Sequence, residues 1–125
     1  MLAVLTLHNN LANAIILYAM ALGAWGAWLV VRRQGVTPAF VAALVIAEIL
    51  VAVQVVLGVT LYLVGARAAA LFHYMYGALA LLALPAAWGY AQGNRSRQTV
   101  LLYTFIALVI AILAWRGTQT ALPGG

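Results

Sequence analysis

The chain has 125 residues, 68% of them hydrophobic and 6% charged, with a formal net charge of +5 and a mean hydropathy of +1.12. No soluble core absorbs that much apolar surface, so a soluble globular domain is excluded and an integral membrane protein is expected. The six basic residues, all arginine, oppose one acid and fall singly or in pairs at the ends of apolar runs. That pattern sets membrane orientation and meets anionic lipid, and it excludes a nucleic-acid-binding face.

Four apolar runs of about 20 residues or more are present. At about 1.5 Å per residue each spans a hydrocarbon core of about 30 Å. They predict an all-α integral membrane protein, a four-transmembrane-helix antiparallel bundle forming a single membrane domain over residues 1–125. Cysteine is absent, which removes disulfides and thiolate metal sites and leaves nitrogen or oxygen ligands, or a cofactor, to hold any metal.

The first run is expected over residues 7–31, with Thr6 capping its start. It is long, lacks a basic segment before it and is followed by Arg32-Arg33, features of a retained span rather than a cleaved leader. His8, Ala12, Ile15 and Ala19 recur at three- and four-residue steps on one face. Trp25 and Trp28 near the other end suit the membrane interface. The second run, 38–64, opens with Pro38 in its first turn and carries Glu48 near its middle and Gln54 further on.

A short connection through Gly65, Ala66 and Arg67 makes the second and third helices antiparallel neighbours. The third run, 69–90, carries His73 in its first turns, and Pro85 is expected to kink it. After a polar loop around Asn94, the fourth run, 98–115, bears Ala107, Ala111 and Ala114 at spacings suited to close packing. Residues 117–125 read as a flexible tail.

Arg32, Arg33, Arg95 and Arg97 lie on one side and Arg67 and Arg116 on the other, which predicts both termini outside. His8 and His73 then share the outer side at similar shallow depth on helices that run the same way. Two neutral imidazoles so placed permit axial ligation of a haem iron, with Ala12 and Gly77, each four residues past a histidine, leaving flat space. Interfacial solvation of both rings is the alternative. A lone mid-membrane carboxylate at Glu48 reads as a protonated acid bonded to a neighbouring helix, with proton movement or quinol contact as the alternative. Gln54 reads as interhelical glue. Tyr62, Tyr74 and Tyr76 belong to an outer aromatic belt or flank a macrocycle.

Leu7-His8 opening one helix, Gln54-Val55-Val56-Leu57-Gly58-Val59-Thr60 closing the next and Leu71-Phe72-His73 opening the third together resemble the repeated half of the haem A synthase family. The resemblance covers residues 7–84, three of the four helices. It implies a bacterial or archaeal cytoplasmic membrane and one b-type haem (haem b) with bis-histidine ligation of its iron by His8 and His73. It further implies a pocket lined by Gln54 and Gly58, with one-electron transfer or haem handling at the outer face. Arg67 is the outer-loop cation placed to meet a propionate, unless it is only a loop charge.

The family's enzymatic members carry acids before the first histidine, an arginine after it and often an outer cysteine pair. Here Asn9 follows His8 and those features are absent. With one histidine pair per chain, haem A synthase activity would require a dimer, and haem binding is the favoured inheritance. The fourth helix has no place in the half repeat and is free to face a partner. Expected partners are membrane lipids and either a second copy (a homodimer) or a larger membrane complex. A cofactor-free accessory subunit of a respiratory or photosynthetic assembly, packed through faces such as Ala19/Gly23 and Ala107/Ala111, is the competing class. No nucleotide-binding loop, hydrolytic triad or charge-lined pathway is present in the sequence.

Overall fold

The structure, a computed structural model, describes residues 2–121. It consists of four α-helices in chain order: α1 (Leu2–Val31), α2 (Pro38–Leu63), α3 (Phe72–Ala91) and α4 (Arg97–Thr120). Three of them, α1, α2 and α4, are long and apolar enough to cross a membrane. Length and apolarity thus bear out the all-helical expectation and three of its four spans. α3, at 20 residues, is long enough, but His73, Tyr74, Tyr76, Pro85 and Tyr90 dilute its apolar content.

The helix boundaries follow from where backbone groups find partners. α2 starts where the Thr37 hydroxyl accepts from the Phe40 amide at 3.2 Å, with Pro38 in the first turn where no donor is needed. α4 starts where Ser96 Oγ accepts from the Thr99 amide at 3.3 Å. α3 runs through Pro85 and ends at Gln92 and Gly93, both left-handed at φ 48° and 78°.

Three boundaries differ from the sequence expectation. α1 begins at Leu2, so Thr6 lies inside the helix and does not cap it. α3 begins at Phe72 and not near Ala69, because the Ala69 and Ala70 amides reach across to the carbonyls of Ala121 and Thr120, at 3.4 and 3.2 Å. α4 continues past Trp115 to Thr120. The polar residues taken for a flexible tail are satisfied within the helix: Thr118 Oγ1 donates to the Trp115 carbonyl at 2.6 Å and Thr120 Oγ1 to that of Arg116 at 3.0 Å. Residues 122–125 of that tail lie outside the described residues.

α1 packs on α2 and α4, and α3 packs on the same two helices, so α1/α3 and α2/α4 form the two diagonals of the bundle. The α1–α4 pair is the closest and α2–α3 the loosest. At the α1–α4 seam a Cβ added to Gly23 would come within 2.6 Å of Leu108 Cδ2, and one added to Gly26 would run into Thr104 Oγ1. Ala19, Ala107 and Ala111 are buried in the same core as Phe40, Val100 and Ile110.

Small residues here let two backbones approach, which is how helices gain dispersion energy in a solvent as apolar as themselves. The faces Ala19/Gly23 and Ala107/Ala111, expected to meet a partner, are therefore consumed inside the chain. α4 is a hub of the bundle. Trp25 meets Phe40 edge to face at 5.3 Å between ring centres, while Trp28 stays exposed.

Candidate functional site

His8 lies in the second turn of α1 and His73 in the first turn of α3, on diagonally opposite helices at one end of the bundle. Their side chains face each other, with ring centres 6.2 Å apart and planes inclined by 65°. Both rings are half-buried.

His73 is held by α4. Its Nδ1 lies 2.8 Å from the carbonyl oxygen of Gly117. A carbonyl only accepts, so Nδ1 carries the proton, and in the neutral ring the lone pair resides on Nε2. The backbone behind His73 is fixed as well. Its amide bonds to the Ala70 carbonyl at 3.1 Å, and Ala70 in turn is tied to the end of α4. An extension of α4 that the sequence reading assigned to a tail thus orients one of the two imidazoles. Gly117 is the residue that reading missed, and its signal was slight: one glycine among polar residues after an apolar run.

His8 is positioned by α2. Gln54 Nε2 donates to the His8 carbonyl at 2.8 Å, the interhelical bond expected of that amide. Gly58, one turn further along α2, lies against the imidazole itself: a Cβ there would sit 3.3 Å from His8 Cε1. Two polar atoms in this neighbourhood, His8 Nδ1 and Gln54 Oε1, are buried without a hydrogen-bond partner. Orphaned groups of this kind are costly and uncommon in a finished core.

The remaining candidates divide. Gly77 is four residues past His73, and a Cβ there would meet nothing within 4 Å, so it borders open space. Arg67 makes its contacts with Tyr62. Its Nη1 donates to the Tyr62 carbonyl and its guanidinium lies over the Tyr62 ring, 3.5 Å from the ring centre. Tyr62 meets Tyr74 edge to face at 5.5 Å, and Tyr74 meets His73 at 5.6 Å while its hydroxyl accepts from the Ala68 amide. The loop arginine therefore joins the aromatic cluster at this end, with further guanidinium N–H groups left to donate. Glu48 is apart from the site in the sequence of α2, half-buried, and its Oε1 has no partner.

The spacing of the two rings is compatible with a bis-imidazole metal site and equally with an edge-to-face ring contact. A metal–imidazole bond is about 2.0–2.1 Å and the ring centre lies about 1.1 Å behind the nitrogen, so two coaxial ligands stand about 6.3 Å apart centre to centre. The observed 6.2 Å matches that spacing. Among the described residues no group of three or more histidine, cysteine or acidic side chains gathers to hold a metal. A macrocycle supplies four ligands in a plane. The α2/α4 diagonal carries glycine beside each ring, Gly58 at His8 and Gly117 at His73.

Comparisons of the chain with protein-family models, with curated proteins and with solved structures return no match.

Proposed function

We propose that this chain is a membrane-embedded, four-span haem protein that holds one b-type haem between His8 and His73 and serves one-electron transfer or haem handling near the outer face. Both termini lie outside in this reading, and the chain works as a homodimer or as a subunit of a larger membrane complex. The observation that carries the proposal is the 6.2 Å separation of two imidazoles presented from diagonal helices. When bound, the haem would supply an iron couple whose potential depends on its axial ligands and on the burial around them.

The chain's own residues do the rest. The Gly117 carbonyl keeps the proton of His73 on Nδ1 and so leaves Nε2 as a donor of constant orientation, the role of an outer hydrogen bond to a ligating imidazole. Gln54 fixes the turn of α1 that bears His8. Gly58 lets α2 approach the ring of His8, and Gly77 leaves room beside His73. Methyl-group oxidation is no part of the proposal: one chain carries one histidine pair, and a second site for a substrate haem would have to come from a dimer partner.

Purified from haem-replete cells, the protein is expected to show a Soret band and sharp visible bands on reduction. His73→Ala abolishes both while leaving the helical circular dichroism intact. A colourless wild-type protein that stays colourless on addition of haemin would sink the proposal.

A further inference from the structure

At the end of the bundle opposite the histidines, we propose a binding site for one anionic phospholipid, in the cleft between the end of α1 and the start of α4. Four of the six arginines are at this end, Arg32, Arg33 and Arg95 in its two loops and Arg97 as the first residue of α4. The fold joins the loops directly. The Val36 amide donates to the Arg95 carbonyl at 2.9 Å, and Gly35 lies so close that a Cβ would run into that same oxygen.

The carbonyl of Val30 is the node of the site. It accepts from the Arg33 amide at 3.0 Å and from Arg97 Nε at 2.8 Å. Arg97 is thereby anchored on the last turn of α1 by one of its five N–H groups, and its exposed terminal nitrogens remain able to donate. An anchored guanidinium has less side-chain freedom to lose on meeting a phosphate, for which its planar fork is suited. Beside it a cleft of about 330 Å³ is lined by Val30, Arg97, Gln98 and Leu101. That pairs a cation and an amide with two aliphatic side chains, one set for a phosphodiester and one for the first carbons of an acyl chain.

The chain offers these arginines no side-chain anion of its own. Its one acidic residue, Glu48, is in the middle of α2. Arg32 is over the exposed ring of Trp28 at 5.3 Å, which places an aromatic of interfacial type at the same level. Four like charges gathered by the fold, an anchored fork and an adjoining apolar cleft call for a ligand that is anionic at one end and aliphatic at the other. The inference is independent of haem.

The test titrates the full-length protein in mild detergent with phosphatidylglycerol, phosphatidylcholine or glycerol 3-phosphate and counts bound molecules by native mass spectrometry. One phosphatidylglycerol should be retained per chain, about tenfold more tightly than phosphatidylcholine, with no retention of glycerol 3-phosphate. Arg97→Gln should weaken retention about tenfold. Arg33→Asn, at a loop position with φ 57° that asparagine accepts, should weaken it about threefold even if Arg97→Gln fails to fold. Equal retention of the two lipids, binding of glycerol 3-phosphate as tight as that of the lipid, or unchanged retention in Arg33→Asn would each overturn the proposal.

Discussion

The α1–α4 seam and the histidine end are built from the same apolar vocabulary and differ in what they leave unfinished. Along the seam, Gly23 and Gly26 bring α1 onto Leu108 and Thr104, and the Thr104 hydroxyl is satisfied by the Val100 carbonyl at 2.8 Å. At the histidine end, two buried polar atoms lack partners, and Gly77 borders open space on the side of α3. Close packing with polar groups satisfied is what a stable bundle requires. Two imidazoles oriented at such effort, in a chain with few polar side chains, are hard to explain by stability. The comparison separates a part that holds the fold from a part that the fold holds in place.

The sharpest break in that comparison is at Gly26. Gly26→Leu puts a side chain where a Cβ already runs into Thr104, and overpacking of this kind costs about 3 kcal/mol or more. The thermal midpoint in detergent should fall markedly, and haem retention should fall only as far as the fold does. Gly58→Val acts in the opposite sense. Its side chain presses on the His8 ring at the rim of the bundle, so stability changes little while haem affinity drops by more than tenfold, read by haemin titration of the folded protein.

The smaller effects sharpen the same division. Gln54→Leu removes the bond to the His8 carbonyl together with an orphaned oxygen, a net loss of about 1 kcal/mol by thermal unfolding. Arg67→Gln should leave haem affinity unchanged, because the guanidinium is turned onto the ring and carbonyl of Tyr62. A tenfold loss of affinity in that variant would return Arg67 to the site as a propionate partner.

The positions of the helices and the pairing of the two histidines were legible in the sequence because both depend on apolar run length and on the depth that topology assigns. Thr37-Pro38 and the polar loop around Asn94 mark their boundaries through local chemistry, and the structure places helix starts at both. What escaped depends on contacts between segments far apart in the chain. Ala69 and Ala70 look helical but are drawn to the end of α4, and Gly117 looks like the start of a tail but offers its carbonyl to His73. The contacts of Arg67 with the carbonyl and ring of Tyr62 are likewise visible only once the loop is folded.

The claim on which the account rests is that His8 and His73 share one iron. Electron paramagnetic resonance of the oxidised, haem-loaded protein tests it most directly, since two imidazole ligands give a low-spin signal and one gives a high-spin signal. The account predicts low-spin iron in the wild type at one haem per chain, and loss of the low-spin signal in both His8→Ala and His73→Ala. A low-spin signal that survives either substitution, or a wild-type protein that takes up no haem, would contradict it.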